Sequence, residues 1–93
     1  MARASARHIL VDDNETCQKL KDQIEAGADF AEMARKYSNC PSAAEGGNLG
    51  EFSRGQMVKE FDDVVFSGEL NIVHGPVKTQ FGYHLLEITN RSD

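Results

Sequence analysis

GGNLGEFSRGQMVKEFDDVVF, residues 46–66, is the stretch from which the fold can be worked out. Four glycines lie within its first ten residues. Because glycine adopts backbone angles that other residues avoid, this spacing predicts tightly shaped backbone. We expect a short strand at residues 48–52, with Leu49 and Phe52 as its apolar side chains.

A helix is expected after this strand. Ser53 and Gln56 have the spacing of a capping box, in which two side chains satisfy free backbone N–H groups at the start of a helix. Met57 and Phe61 are four residues apart, so on a helix they would share one apolar face. The pattern therefore predicts a helix that begins near Ser53 and ends near Phe66.

Length and charge limit what the chain can be. Ninety-three residues predict a single domain covering residues 1–93. Fifteen acidic residues against ten basic ones give a net negative charge, which argues against nucleic acid or an anionic membrane as the main partner. No apolar heptad or stripe in the sequence calls for a protein partner, so we expect a monomer.

The location of the protein is predicted from its first residues and its cysteines. Residues 1–10 include basic side chains but lack the apolar core of a secretory signal, and no segment reaches the length of a membrane span. Cys17 and Cys40 lack the spacing of a metal motif, so we expect free thiols in a reducing compartment. Together these features predict a cytoplasmic protein.

The segments before residue 46 predict one strand and two helices. Residues 4–11 form an apolar run without clean alternation, which is typical of a strand covered on both faces. Asp12 and Asp13 should supply capping side chains for the first helix, and Asp29 for the second. Pro41 should begin one further helical turn. The face of the second helix that we expect to be buried consists of Phe30, Met33, Ala34 and Tyr37.

The end of the chain predicts a hairpin. Gly75 and Pro76 should break the chain before a strand that runs through Thr79, and residues 80–82 should form a tight turn. The last strand is expected at residues 83–89, with alternate side chains on opposite faces. Helices combined with antiparallel strands predict an α+β fold.

Three motifs occur in a fixed order: RHILV at residues 7–11, the glycine-rich stretch at residues 46–66, and GPVKTQFGYHLLEI at residues 75–88. Together they resemble the parvulin family of peptidyl-prolyl cis-trans isomerases, and the chain is most similar to the small, free-standing bacterial members. The resemblance implies an FKBP-like α+β fold, with about four helices around a four-stranded antiparallel sheet whose first and last strands are central neighbours. It also implies catalysis of X-Pro bond rotation in unfolded or flexible polypeptides, with no cofactor and no metal.

Four apolar residues would form the proline pocket of such an enzyme. By resemblance, the proline ring would lie against Met57, Phe61 and Phe81, with Leu49 beside them. Most Met and Phe pairs on helices belong to the core, and this alternative stays open for Met57 and Phe61. Phe81 is more informative, because an aromatic side chain on a loop more often serves binding.

His8 and His84 would be the polar centre of the site. Each lies in a strongly apolar strand, where a lone histidine is more often a satisfied core residue than a catalyst. The resemblance implies two histidines that hydrogen-bond to each other, accompanied by the hydroxyl of Thr79. Because bond rotation moves no proton, we expect these groups to orient the site rather than to act as acid or base.

Cys40 occupies a position that is Cys or Asp in the family. A covalent route would need an activated thiolate, whereas a non-covalent route needs only a polar, partly negative neighbour of the twisting carbonyl. Because the family accepts Asp there, the non-covalent route is favoured, and a buried inert thiol is the other alternative. Cys17 lies on an apolar helical face and is expected to be inert.

One departure from the family concerns the choice of substrate. Members that recognise phosphate carry a basic cluster after the first strand, whereas this chain has Asp12, Asp13, Asn14 and Glu15 there. These residues would repel phosphate, so we predict no dependence on phosphoserine or phosphothreonine. Since Phe81 makes the pocket apolar, an apolar residue before proline is expected instead.

Other functions stay open on the sequence alone. A proline-binding or chaperone module could have the same fold without catalysis, and a proline-limited refolding assay would separate the two. A cysteine hydrolase built on Cys40 with His8 or His84 would need an oxyanion hole, and no motif marks one. A metal site formed by the same three residues matches no standard zinc spacing.

Overall fold

A four-stranded antiparallel sheet with helices on both faces makes up the fold. The computed structural model describes residues 2–92, so the predicted domain limits at residues 1 and 93 lie outside the described residues. In chain order the elements are β1 (Arg3–Val11), α1 (Asn14–Glu25), α2 (Phe30–Tyr37), a 3₁₀ helix (Pro41–Glu45), β2 (Asn48–Ser53), α3 (Lys59–Val65), β3 (Val73–Thr79) and β4 (Gly82–Ser92). The α+β class is confirmed, and within residues 2–92 three α-helices and one 3₁₀ helix stand where about four helices were expected.

The strand order places the first and last strands in the middle of the sheet. The order is β2-β1-β4-β3, and all neighbours are antiparallel. Along the central pair, His8 lies opposite Leu86 and Leu10 lies opposite His84. The two predicted site histidines are therefore on adjacent strands, as the resemblance implied.

Two hydrophobic cores lie on opposite faces of the sheet, which explains why the apolar residues of β1 do not alternate cleanly. The core under α3 consists of Ala4, Ala6, Phe52, Phe61, Val65, Leu86 and Ile88. The core under α1 and α2 consists of Ile9, Val11, Cys17, Leu20, Phe30, Ala34 and Leu85. Because successive residues of a strand point to opposite faces, β1 and β4 each supply both cores.

Most of the predicted caps are present. Asp13 Oδ2 accepts a hydrogen bond from the Thr16 backbone N–H at 2.9 Å, and Asp29 Oδ2 accepts one from the Glu32 N–H at 3.0 Å. Asp12 was wrongly predicted as a cap, because its Oδ1 accepts from the Asn39 side chain instead. The 3₁₀ helix begins at Pro41, which confirms the predicted helical turn.

The predicted start of the helix after β2 is wrong. Gln56 Oε1 does accept a hydrogen bond from the Ser53 N–H, at 2.5 Å, but this bond closes a turn rather than opening a helix. Gly55, at φ +90, has a backbone conformation that a right-handed helix cannot include. The helix α3 begins at Lys59, so Met57 precedes it and does not share a helical face with Phe61.

Tyr37 was expected to be buried, and its side chain is 48% exposed. It is the last residue of α2, and the two residues after it lie against β1. Ser38 Oγ accepts from the Leu10 N–H, and the Asn39 N–H donates to the Leu10 carbonyl. The residues after α2 are therefore held to β1 by the Ser38 side chain and the Asn39 backbone, and the ring of Tyr37 stays at the surface.

The hairpin strands are longer than predicted. Gly75 and Pro76 lie inside β3 rather than before it, and the pairing with β4 is irregular between His74 and Val77. Proline is tolerated there because β3 is an edge strand, where a missing N–H leaves no partner unsatisfied. On the same strand, His74 is half-buried, and its Nε2 lies 2.8 Å from the Glu69 carbonyl oxygen.

Candidate active site

A cavity of about 350 Å³ opens beside the central strands, between the 3₁₀ helix and α3. The predicted site residues that line it are His8, Cys40, Leu49, Met57, Phe61, Phe81 and His84. Thr79, the remaining predicted residue, lies behind His84 and bonds to it. The wall is almost entirely carbon, and the volume falls within the range of small-molecule pockets.

The aromatic residues of the cavity differ in burial. Phe61 is only 3% exposed, and its ring meets the rings of His8 and His84 edge-on, at 5.6 Å between centroids in both cases. Phe61 therefore belongs both to the core and to the floor of the cavity. Phe81 is 60% exposed in the turn between β3 and β4. Its ring forms a wall of the cavity that a bound molecule could cover.

The glycine-rich stretch brings the 3₁₀ helix against β1 at His8. The His8 N–H donates to the Gly47 carbonyl at 2.9 Å. A Cβ atom on Gly47 would lie 2.3 Å from the His8 carbonyl oxygen, so only glycine allows this approach. Gly47 also has φ +86, which side-chain-bearing residues rarely adopt. The close contact holds Cys40 and Ser42 beside the histidines.

The imidazoles of His8 and His84 form one hydrogen-bonded unit. Their Nδ1 atoms are 3.1 Å apart, and the ring planes differ by 18°. His84 Nε2 lies 2.8 Å from the hydroxyl oxygen of Thr79. His8 Nε2 lies 3.2 Å from the hydroxyl oxygen of Ser42. All four ring nitrogens thus have partners within the protein.

This arrangement decides what the histidines can do chemically. Burial first, and then the proximity of His84, lower the pKa of His8 from 6.5 to about 4. Burial also lowers the pKa of His84. Both rings are therefore neutral at pH 7, and neither has a free nitrogen to exchange a proton with a substrate. The geometry supports an orienting role over acid or base catalysis.

The cysteines differ in their surroundings. Cys40 is half-buried at the cavity wall, and none of the hydrogen bonds within residues 2–92 reaches its sulfur. Because the histidine nitrogens bond elsewhere, no base is placed to activate this thiol, which argues against the cysteine hydrolase and the covalent route. Cys17 is fully buried, and burial raises the pKa of its thiol to about 11, so it is inert.

Sequence reasoning missed several residues of the site. The additional cavity-lining residues are Leu10, Asn39, Pro41 and Val58. Leu10 could have been found, since it is two residues after His8 and shares its face of β1. No sequence pattern predicted the contact between Ser42 and His8, because the direction of such a side chain depends on the path of the folded chain.

No group of three or more His, Cys, Asp or Glu side chains within residues 2–92 is placed to hold a metal ion. Across the same residues, no helix is long and apolar enough to cross a bilayer.

Similar proteins were found by sequence. The foldase protein PrsA of Halalkalibacterium halodurans is 46% identical over 94 residues, covering 100% of this chain and 28% of that protein. The foldase protein PrsA of a Geobacillus species is 44% identical over 89 residues, covering 95% of this chain and 32% of that protein. The chain thus spans about a third or less of the length of these curated relatives.

Solved structures have the same fold. A peptidylprolyl isomerase, PrsA, from Bacillus anthracis superposes with a TM-score of 0.96 at 32% identity, over 99% of this chain and 43% of that chain. The parvulin of Nitrosopumilus maritimus superposes with a TM-score of 0.85 at 32% identity, over 97% of this chain and 98% of that chain. A family model described as the PPIC-type PPIASE domain matches residues 1–92. With its fold, its histidine pair and this match in agreement, the chain belongs to the family of parvulin-type peptidyl-prolyl isomerase domains.

Proposed function

We propose that this domain catalyses X-Pro bond rotation in unfolded or flexible polypeptides by stabilising the twisted amide without a covalent bond. The observation that carries this proposal is an almost wholly apolar cavity whose polar centre is hydrogen-bonded internally. Polypeptide substrates are supported by the relatives that are named foldases.

The chemistry fits such a cavity. The barrier to rotation, roughly 18–20 kcal/mol, comes from amide resonance, which places partial charges on oxygen and nitrogen. Water stabilises that charge separation in the planar amide, and an apolar wall does not. Transfer into the cavity therefore favours the twisted amide over the planar one, and each ~1.4 kcal/mol of difference speeds rotation about tenfold.

The proline ring is proposed to lie between Met57, Phe61 and Leu49, under the exposed ring of Phe81. These side chains offer carbon surface on several sides of the cavity. Closure of Phe81 over the substrate would exclude water from the amide. Cys40, at the same cavity, is proposed as the polar neighbour of the twisting carbonyl, with its thiol intact.

An acidic entrance is proposed to select the residue before proline. Asn39 lines the cavity, and its side-chain Nδ2 donates to Asp12 Oδ1 at 3.1 Å. This contact ties a carboxylate to a residue of the cavity wall, at the start of the segment 12–15, which has three acidic residues. Like charges repel, so substrates with glutamate or a phosphorylated residue before proline should turn over more slowly than those with leucine.

The selectivity can be measured by exchange NMR on Leu-Pro, Glu-Pro and phosphoserine-Pro peptides. We expect the fastest exchange with Leu-Pro. In the variant Asp12→Asn, the exchange rates of the Leu-Pro and Glu-Pro peptides should differ less than in the unchanged protein. A preference for Glu-Pro or phosphoserine-Pro in the unchanged protein would contradict the proposed selectivity.

Refolding tests the proposed function against the chaperone alternative. The protein is added to an unfolded test protein whose slow refolding phase is limited by proline isomerisation. A catalyst should raise the rate of that phase in proportion to its concentration. A binding module would change the yield of folded protein and leave the rate of the slow phase unchanged, and that result would contradict the proposed catalysis.

Several properties remain predictions from the sequence. These are that the protein is free-standing and monomeric, that it is cytoplasmic, and that it uses no cofactor and binds neither nucleic acid nor membrane. Sedimentation at several concentrations would test the monomer.

A further inference from the structure

Ser42 is the polar group of the site that the sequence did not assign. It lies in the 3₁₀ helix, two residues after Cys40, and its hydroxyl oxygen is 3.2 Å from His8 Nε2. The side chain is half-buried, and it is not among the residues that line the cavity. Ser42 therefore touches the histidine pair from behind rather than the substrate.

Four hydrogen bonds join Ser42 to the turn on the other side of the cavity. The Phe81 backbone N–H donates to the Thr79 hydroxyl oxygen at 3.1 Å. That hydroxyl bonds to His84, His84 bonds to His8, and His8 bonds to Ser42. We call this series the polar chain. It connects the turn that carries Phe81 with the segment that carries Cys40.

The buried end of the polar chain, at Thr79, decides which group donates and which accepts in each hydrogen bond. Thr79 is only 8% exposed, and its oxygen already accepts from the Phe81 N–H, which can only donate. If Thr79 also accepted from His84, its own hydroxyl hydrogen would lack a partner in a buried position, which costs free energy. Thr79 therefore donates to His84 Nε2.

The remaining bonds follow from the chemistry of a neutral imidazole, which has one N–H and one acceptor nitrogen. His84 accepts at Nε2, so its proton is on Nδ1 and is donated to His8 Nδ1. His8 then has its proton on Nε2 and donates it to the Ser42 oxygen. The hydroxyl hydrogen of Ser42 lies at the half-buried end, where it can reach solvent.

We propose that Ser42 is a positioning residue for isomerisation: as the last acceptor of the polar chain, it holds His8 as the Nε2–H tautomer and His84 as the Nδ1–H tautomer. The inference rests on the proposed function. In this state every polar atom of the two rings is directed into the protein. Without Ser42, the His8 N–H would lack its acceptor beside the cavity and could recruit water or the substrate carbonyl in the planar state.

The tautomers can be observed directly in the unchanged protein. Long-range ¹H–¹⁵N correlation spectra distinguish the two neutral forms of each histidine. We expect His84 with the proton on Nδ1 and His8 with the proton on Nε2. The opposite assignment for either ring, or a charged ring at pH 7, would overturn the inference.

Catalysis by variants tests the role of the hydroxyl. Ser42→Ala should lower kcat about tenfold, the effect of one lost hydrogen bond, and leave KM unchanged because Ser42 does not line the cavity. Ser42→Thr retains a hydroxyl and should recover most of the rate. Ser67→Ala is a matched control, since the Ser67 hydroxyl bonds to the Asp63 carbonyl on an exposed turn.

The outcomes separate this inference from the proposed function. If the kcat of Ser42→Ala equals that of Ser67→Ala, Ser42 is not a positioning residue. The same holds if Ser42→Ala raises KM and leaves kcat unchanged. If the unchanged protein is active but has the opposite tautomers, only the inference fails. If the unchanged protein does not catalyse rotation at all, the proposed function fails, and the catalytic role of Ser42 fails with it.

Discussion

At the scale of single residues, His8 links burial to pH. Its pKa is about 4 in the folded protein, against 6.5 when exposed, so the unfolded chain binds more protons between these pH values. The contribution of His8 to the free energy of unfolding is therefore complete above pH 6.5 and decreases as the pH falls toward 4. The expected loss is roughly 3 kcal/mol.

Urea unfolding at several pH values checks this prediction. The variant His8→Gln retains hydrogen-bonding groups but does not titrate, so its unfolding free energy should fall less between pH 6.5 and 4. Equal pH dependence in the two proteins would contradict a buried, neutral His8.

Replacement of Phe81 should lower catalytic efficiency more than it lowers the stability of the fold. Its ring is 60% exposed, so Phe81→Ala should change the free energy of unfolding little. We expect kcat/KM to fall about tenfold, since covering part of a phenyl ring with substrate stabilises the complex by roughly 1–2 kcal/mol. Tyr37→Ala is the matched control, because that ring is 48% exposed and does not line the cavity. Equal activity in the two variants would remove Phe81 from the pocket.

Phe61 does not allow the same clean separation. At 3% exposure it packs in the core as well as in the cavity, and Phe61→Ala should cost roughly 3–5 kcal/mol of stability. Its loss of activity would therefore not distinguish binding from folding.

Cys40 tests the covalent route. Cys40→Asp supplies a polar, negative neighbour for the twisting carbonyl and removes the nucleophile. We expect a loss of no more than about tenfold in kcat, equivalent to ~1.4 kcal/mol of barrier. Peptide exchange rates measure this loss, and complete inactivity of a folded Cys40→Asp protein would favour covalent catalysis.

At the scale of elements, the glycine-rich stretch allows one specific close contact, between Gly47 and β1, which its composition alone did not predict. Gly47→Ala would force a Cβ to 2.3 Å from the His8 carbonyl oxygen and would also strain φ +86. Gly50→Ala is matched in having φ +72 but has no atom within 4 Å of the added Cβ. We expect Gly50→Ala to cost about 1–2 kcal/mol and Gly47→Ala clearly more, measured by urea unfolding. Equal costs would contradict the close contact between Gly47 and β1.

The positions of the elements also explain why the sequence pattern wrongly placed Met57 on a helix. Of the two side-chain bonds of the predicted capping box, the one from the Ser53 N–H to Gln56 Oε1 forms, yet Gly55 turns the chain before a helix can begin. Met57 reaches the cavity from the segment before α3 rather than from a helical face. A capping pattern identifies a local hydrogen bond, but it does not decide which of two structures that bond closes.

At the scale of the whole molecule, the site depends on strand order. His8 and His84 are 76 positions apart in sequence, and they meet because β1 and β4 are central neighbours. Residue patterns identified both strands but not their adjacency, which only the resemblance implied. The direction of Ser42 and the exposure of Tyr37 depend in the same way on how distant segments meet, so no local pattern could predict them.

The assembled cavity is expected to accelerate rotation of the X-Pro bond rather than only to bind proline. Exchange NMR on an Ala-Pro peptide, with no coupled protease, measures this most directly, because cis and trans forms interconvert unaided in tens to hundreds of seconds. We predict exchange that becomes much faster in proportion to protein concentration, with shift changes at Met57, Phe61 and Phe81. The same shift changes with exchange at the unaided rate would contradict catalysis and would identify a proline-binding module instead.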